Sequence, residues 1–124
     1  TFVYQDHFVT LTELAIEINN YYIPSRKSRR VLLDSVTVLY FEDQSQSKMS
    51  YTRVWGKGLG KISWALDIKR AFGKVNPVKG RANIVLDLGG ELRIGFTVMN
   101  VDKFMEKMRD LLDYHVIIVD NINL

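Results

Sequence analysis

Cysteine is absent from this chain of 124 residues. Its absence excludes thiol nucleophiles, thiolate metal sites and disulfide bonds, and it fits a reducing compartment such as the cytoplasm. No apolar run approaches the ~20 residues that a membrane-spanning helix needs. With 47% hydrophobic residues, the chain is predicted to form a single domain over 1–124, with its core at 8–112 and a tail or extra strand at 113–124.

Histidine is scarce as well. His7 and His115 stand at opposite ends of the chain, without partners at the spacing of a metal site or a catalytic triad. The strand carboxylates are expected to face water, where the pKa of a carboxyl group is hard to shift. We therefore expect a protein that is not an enzyme, with no catalytic residue, metal or cofactor.

Glycines recur at Gly56, Gly58 and Gly60, a spacing that resembles the start of a phosphate-binding loop. Such a loop needs a helix directly after it, because the helix N-terminus holds the phosphate. Strand-like residues follow here instead. We interpret the segment as a flexible hairpin loop.

Positive charge is concentrated in the middle of the chain. Thirteen Lys or Arg and four acidic residues lie between Arg26 and Arg81, whereas the two flanks together hold four basic and ten acidic residues. Clustered charge of this kind attracts phosphate, an anionic membrane surface or an acidic protein, although solvated strand loops have the same composition.

Two sets of basic residues are candidate sites. The segment 25–30, predicted as a loop, carries Arg26, Lys27, Arg29 and Arg30 as a candidate anion or lipid site. A secondary basic face is predicted from Lys57, Lys61, Lys69 and Arg70. The alternative for the loop is a solvated hairpin tip.

Aromatic residues are interleaved with these cations, a pattern by which proteins hold single-stranded nucleic acid. They are Tyr21, Tyr22, Tyr51, Trp55, Trp64 and Phe72. Aromatic residues at alternate strand positions are more often part of a core. We therefore do not expect nucleic acid as a partner.

Strand patterns dominate the chain up to residue 97. Strands are predicted at 8–12, 14–18, 31–41 with a bend at Asp34-Ser35, 49–55 and 62–68, and polar or mobile loops at 42–48 and 69–80, the latter with a helical turn at 69–72. Two further strands, 82–88 and 91–97, are joined by Gly89-Gly90, which predicts a tight antiparallel turn. One buried face of this hairpin is predicted to contain Ile84, Leu86, Leu92, Ile94 and Phe96.

One amphipathic helix is predicted at 101–112. Asn100 is a good N-cap, and Phe104, Met105 and Met108 recur at helical spacing. The apolar segment 115–119 that follows is either a short extra strand or an exposed tail.

This order of strands followed by a single C-terminal helix resembles the pleckstrin-homology fold. The residues Thr10-Leu11-Thr12 through Ile18, Tyr21-Tyr22 with Pro24, and Val31 to Val36 are similar to the opening of small bacterial PH-like domains, and Ile94-Gly95-Phe96-Thr97 with Val101 to Phe104 is similar to their ending. The resemblance implies a mainly β fold: a seven-stranded barrel of two roughly orthogonal antiparallel sheets, capped by the helix.

Two functions follow as hypotheses. The first is a non-enzymatic binding or assembly module that presents a sheet edge or its basic face to a protein partner or to copies of itself, since segments such as 116–119 can add to a sheet edge. The second is peripheral binding of this cytoplasmic domain to an anionic membrane through the basic loop 25–30.

Overall fold

The computed structural model describes residues 2–46, 54–58, 61–72 and 78–122. These residues form ten strands, one α-helix and three short 3-10 helices. The strands are β1 Phe2–Gln5, β2 Val9–Thr12, β3 Ala15–Tyr22, β4 Lys27–Leu32, β5 Val38–Asp43, β6 Gly56–Gly58, β7 Ile62–Trp64, β8 Ala82–Asp87, β9 Arg93–Val98 and β10 Ile117–Val119. The helix α1 is Val101–Leu111, and the 3-10 helices are Leu33–Ser35, Gln44–Gln46 and Ile68–Phe72.

The first sheet contains β1 to β4 in chain order, with every pair antiparallel. Leu11, Ile16 and Val31 lie side by side on its inner face and are buried. Alternate residues point to the opposite face, so Glu17 and Arg30 pair on the outside. The predicted strands 8–12 and 14–18 are confirmed, and the second of them extends to Tyr22.

The second sheet has the strand order β10-β5-β8-β9-β7-β6. Its two central strands, β8 and β9, are buried on both faces. β10 pairs with β5 in parallel, and β7 pairs with β9 in parallel. The segment after the helix is therefore a strand, and the expectation of purely antiparallel sheets is wrong at these two pairs.

The architecture confirms a mainly β protein with two sheets and one helix near the C-terminus. In the described ranges the strands number ten instead of seven, and the sheets of four and six strands do not close into a barrel. Three of the additional strands, β1, β6 and β10, lie at sheet edges, where a short segment needs only one neighbour.

The helix α1 begins as predicted and ends one residue earlier. The Asn100 side chain accepts a hydrogen bond from the backbone N–H of Lys103 at 3.1 Å, which caps the first turn. Phe104, Met105 and Met108 are buried against the sheets. Within the described residues, no helix is long and apolar enough to cross a membrane.

The hairpin of β8 and β9 differs from the prediction in its turn. Its register pairs Ile84 with Phe96 and Leu86 with Ile94, and all four are buried as predicted. However, β8 ends at residue 87 and β9 starts at 93, so the connection is a five-residue loop. Leu92 belongs to that loop and is 41% exposed, which corrects its assignment to the buried face.

Two segments predicted as loops are partly regular structure. Residues 27–30 belong to β4, so only Ser25 and Arg26 of the predicted basic loop form the turn. Residues 42 and 43 extend β5, and Gln44 is buried instead of solvated. These polar residues were predicted to form loops because of their composition. Instead, residues 27–30, 42 and 43 pair in strands, and Gln44 takes part in a buried hydrogen-bond network.

Two further predictions change around β6 and β7. Gly56–Gly58 forms β6 instead of a flexible loop, while Gly60 and the predicted strand residues 49–53 lie outside the described residues. The strand predicted at 62–68 ends at Trp64, and Ile68 is exposed in a 3-10 helix. The predicted helical turn at 69–72 is confirmed as part of that 3-10 helix, with 73–77 again outside the described part.

Gly95 allows Trp64 to lie across β9. A Cβ atom added at Gly95 would stand 2.4 Å from Cε3 of the Trp64 ring and 2.8 Å from Cγ2 of Ile62. The ring is fully buried, so it has little room to shift. We expect Gly95→Ala to lower the free energy of unfolding by about 1–3 kcal/mol through overpacking.

Chemical denaturation of Gly95→Ala measures this loss, and Gly90→Ala is its control. A Cβ at Gly90 would meet nothing within 4 Å, so the control should change stability by less than about 0.5 kcal/mol. Equal effects of the two substitutions would contradict the packing of Trp64 against Gly95.

Candidate functional site

Six polar or charged side chains are buried among the described residues, and they form one hydrogen-bonded cluster. Gln44 follows β5, Asp67 follows β7, and Arg70 lies in the 3-10 helix Ile68–Phe72. Arg81 directly precedes β8, Asn83 lies in β8 and Thr97 lies in β9. We call them the buried polar cluster: Gln44, Asp67, Arg70, Arg81, Asn83 and Thr97.

Asp67 is the acceptor at the centre of this cluster. Its Oδ2 accepts hydrogen bonds from Arg81 Nη2 at 2.6 Å, Thr97 Oγ1 at 2.7 Å and Gln44 Nε2 at 3.0 Å. Its Oδ1 accepts from the backbone N–H of Lys69 at 3.1 Å. Both carboxylate oxygens are thus used inside the protein.

Arg70 contributes the second guanidinium group of the cluster. Its guanidinium lies over the Trp64 ring at 4.5 Å from the ring centroid. It donates to Thr97 Oγ1 at 2.9 Å, to the Ala65 carbonyl at 3.0 Å and to Asn83 Oδ1 at 3.2 Å. A cation this deeply buried requires such partners, because desolvation of an unpaired charge is costly.

The cluster shifts the pKa values of its own members. Burial alone would raise the pKa of Asp67, but the hydrogen bond from Thr97 and the charges of Arg70 and Arg81 outweigh it and hold that pKa below the ordinary 3.8. Burial lowers the pKa of Arg70 to about 10, against the attraction of Asp67 and with a further lowering from Arg81. Both groups therefore remain charged near neutral pH.

This cluster was not predicted from the sequence, although the sequence contains one signal for it. Asn83 and Thr97 are the polar residues within the apolar runs of β8 and β9, and the strand register places them directly opposite each other. Polar residues at paired buried positions indicate that further hydrogen-bonding groups cover them. The charged members bond to partners that are far away in the chain: Arg81 is 14 residues from Asp67, and Thr97 is 27 residues from Arg70 and 30 from Asp67. Only the tertiary fold brings them together.

The four basic residues of the predicted loop 25–30 do not lie together on one surface. Lys27 and Arg29 share one face of β4, while Arg30 points to the other face opposite Glu17. Arg29 donates to Tyr21 Oη at 3.4 Å and lies over that ring at 5.3 Å. Arg26, in the turn, donates to Asn20 Oδ1 at 3.2 Å.

The secondary basic face loses one member. Lys57 is exposed on β6, and Lys61 and Lys69 are also exposed. Arg70 is only 2% exposed and belongs to the buried polar cluster, so its assignment to a basic surface is wrong. Its position in a 3-10 helix after an aromatic strand turns the guanidinium inward over Trp64.

A cavity of about 330 Å³ brings together residues from both candidate sets. Arg26 from the first set and Lys69 from the second line it, together with Arg81 and His7. Its remaining walls include Phe8, Leu66, Ile68 and Met99, with Asn20 and Asp67. We call it the Arg81 cavity.

A second concave surface lies between the β3–β4 end of the first sheet and β6 of the second. It has a volume of about 300 Å³. Three of its apolar lining residues are exposed: Tyr22 at 47%, Trp55 at 47% and Leu92 at 41%. Arg29 and Lys57 also line it. We call these five residues the aromatic groove.

The remaining aromatic candidates have mixed positions. Trp64 and Tyr21 are buried, as expected of core residues, whereas Tyr51 lies outside the described residues. His115 is exposed and pairs with Asp113 at 3.2 Å. In the described ranges, no three His, Asp or Glu side chains are grouped closely enough to hold a metal ion.

The arrangement of these residues thus supplies one internal polar network and two surface concavities. Comparisons of the chain with protein families, with curated proteins and with solved structures found no match.

Proposed function

We propose that this chain is a non-enzymatic, PH-like binding or assembly module that holds a segment of another protein, or of a second copy of itself, in the aromatic groove. The observation that carries the proposal is the exposure of Tyr22, Trp55 and Leu92 around one concave surface. The two sheets and the helix near the C-terminus support the PH-like part of the proposal.

The aromatic groove is lined by the residue types that form hot spots in protein interfaces. Tyr, Trp and Arg contribute most of the binding energy in protein interfaces, because they combine large apolar area with a polar group. The groove contains all three types, with Lys57 as a further cation. A partner segment that combines apolar side chains with Asp or Glu would complement it.

The strongly perturbed titratable groups support a binding function over catalysis. Asp67 and Arg70 use their charges in internal hydrogen bonds. The Tyr4 hydroxyl donates to Asp6 and accepts from the backbone N–H of Asn100 at 3.2 Å. Burial, the hydrogen bond to Asp6 and the charge of that carboxylate raise the pKa of Tyr4, so it is not available as a base near neutral pH.

Selection of phage-displayed peptides against the wild-type protein tests the groove. We expect enriched peptides to bind Trp55→Ala at least about tenfold more weakly, since hot-spot truncation costs about 2 kcal/mol or more. Tyr114→Ala is the matched control, because Tyr114 is 99% exposed and does not line the groove. It should leave peptide binding unchanged. No enrichment, or equal binding by Trp55→Ala, would contradict the proposal.

Sedimentation equilibrium then distinguishes the two kinds of protein partner. Self-association of the wild type that Trp55→Ala abolishes would identify a second copy as the occupant. A monomeric wild type that binds selected peptides would identify a different protein. Both results agree with a binding module.

Peripheral membrane binding remains the second candidate function. Lys27 pairs with the exposed Tyr22 across β3 and β4, and an aromatic ring beside a cation suits a membrane interface. Sedimentation with phosphatidylserine vesicles tests it against replacement of Arg26, Lys27, Arg29 and Arg30 by Ser. Four cations at about 1 kcal/mol each predict binding that is lost in the variant and in high salt. Vesicle binding without peptide binding would replace the groove proposal with this one.

A further inference from the structure

The buried polar cluster contains a buried ion pair. Arg81 is 6% exposed, and its guanidinium pairs with the Asp67 carboxylate at 2.6 Å. A buried guanidinium keeps its charge only where such partners compensate for its lost hydration.

Arg81 is the member of the cluster that connects it to the surface. Its Nη2 bonds Asp67, its Nε donates to Gln44 Oε1 at 3.3 Å, and its guanidinium lies over the Phe8 ring at 5.1 Å. The same side chain lines the Arg81 cavity. A ligand in that cavity would thus lie beside the Arg81 guanidinium.

Two further cations line the cavity from different parts of the chain. Arg26 belongs to the turn between β3 and β4, and Lys69 belongs to the 3-10 helix after β7. Both side chains are exposed, so they can reach a ligand without losing a buried bond. Arg26 is held at φ +62°, a conformation that costs free energy for a residue other than glycine.

The negative charge in the cavity wall is already neutralised. Asp67 accepts from Arg81, Thr97 and Gln44 through one oxygen and from the Lys69 backbone through the other. The Arg, Lys and Asp side chains of the lining, which are Arg26, Lys69, Arg81 and Asp67, sum to two net positive charges. This charge complements a dianion.

We propose that the Arg81 cavity binds a small organic phosphate monoester. The phosphate group would meet Arg26, Lys69 and Arg81, since guanidinium and ammonium groups are strong donors to phosphate oxygens. The organic part would pack on the apolar wall of Phe8, Leu66 and Met99. The site is independent of the proposed function, because none of its residues belongs to the aromatic groove.

Isothermal titration calorimetry with phenyl phosphate tests the site. We expect phenyl phosphate to bind more tightly than inorganic phosphate, because the phenyl ring adds apolar contact. Arg26→Asn and Lys69→Gln should each weaken binding about tenfold, the effect of losing one charge-assisted hydrogen bond. Asn also tolerates the left-handed backbone at position 26, so this variant removes the charge without adding strain.

Arg30→Gln is the control, because it removes the same charge from the outer face of the first sheet. It should leave the affinity for phenyl phosphate within a factor of about two. Failure of the wild type to bind phenyl phosphate at millimolar concentration would overturn the proposal. So would equal affinities in Arg26→Asn, Lys69→Gln and the wild type, or tighter binding of phthalate, a dicarboxylate.

A competition experiment identifies the source of the phosphate. Phosphatidic acid carries a phosphate monoester at a membrane surface, whereas phosphatidylglycerol carries a diester. Vesicles of phosphatidic acid that displace phenyl phosphate, when phosphatidylglycerol vesicles do not, would assign the site to a lipid headgroup. Lack of displacement by either, with phenyl phosphate still bound, would assign it to a soluble ligand. Both results support the monoester site.

Discussion

Replacing Asp67 by Asn is expected to lower the free energy of unfolding by about 3–5 kcal/mol, which is the cost of breaking a buried ion pair from one side. Asn has nearly the same shape, so the packing volume is kept. The charge is lost, however, and Arg81 would remain buried without its ion-pair partner. The Asn amide has only one acceptor oxygen, so it cannot accept both the bonds that converge on Asp67 Oδ2 and the bond from the Lys69 backbone N–H to Oδ1.

Urea denaturation measures the loss, and Asp87→Asn is the matched control. Asp87 pairs with Arg93 at 3.4 Å, and their side chains are 22% and 29% exposed. This pair is partly solvated, so the control should lose about 1 kcal/mol at most. Comparable losses in the two variants would show that the buried polar cluster does not stabilise the fold.

The contribution of Asp67 should depend on pH. Its pKa in the folded protein lies below the ordinary value of 3.8, so its stabilising effect is complete above that value and is lost as the pH falls through the folded pKa. The difference in stability between wild type and Asp67→Asn should therefore be constant from pH 5 to pH 7 and shrink below about pH 4. A difference that stays constant down to pH 2 would contradict this origin.

A double substitution keeps the prediction testable if Asp67→Asn alone does not fold. Combining it with Arg81→Met removes one of the two guanidiniums together with the carboxylate. The double variant should be more stable than the sum of the two single losses predicts, with a coupling of about 1–3 kcal/mol between contacting residues. Additive losses would show that the ion pair at 2.6 Å contributes nothing.

Truncating Phe104 to Ala should lower the free energy of unfolding by about 3–5 kcal/mol, the usual cost of a large buried cavity. Phe104 is fully buried in the main core. Its ring forms T-shaped pairs with the rings of Tyr4 and Phe96, with centroid distances of 5.5 Å and 6.1 Å. Because these partners come from β1 and β9, the side chain joins both sheets to α1.

Lys103→Ala is the control for Phe104→Ala, since it changes the neighbouring residue on the exposed face of the same helix. It should alter stability by less than about 0.5 kcal/mol. Phe104→Leu keeps more of the apolar volume and should lose less than the Ala variant, which provides a measurement if the latter unfolds. Small and equal losses at 103 and 104 would mean that α1 does not pack as described.

The sequence by itself determined the elements whose signals are local. The helix and its cap follow from Asn100 and the spacing of Phe104 and Met108, which act within a few residues of each other. The central strands β8 and β9 follow from long apolar runs with β-branched residues. Alternation of apolar and polar residues likewise predicted the strands β2 and β3.

Segments of mixed composition were predicted less well, because their structure depends on how they pair with other strands and not on their own composition. Residues 27–30 look like a basic loop by composition, but pairing with β3 makes them a strand and separates Arg29 from Arg30. Leu92 fits the alternation of β9, but the hairpin opens before it and leaves it exposed. The parallel pairing of β10 with β5 joins segments almost 80 residues apart, and nothing in the sequence of either strand indicates its partner.

Only the tertiary structure decided where the polar chemistry lies. Arg70 and Arg81 look like solvated cations in the sequence, yet folding buries both around Asp67. Arg26 and Lys69 are far apart in the chain and meet at one cavity. Secondary structure depends on the spacing of residues within a few positions of each other. A site depends instead on which distant side chains come together in one low-dielectric interior, and the packing of the two sheets determines this.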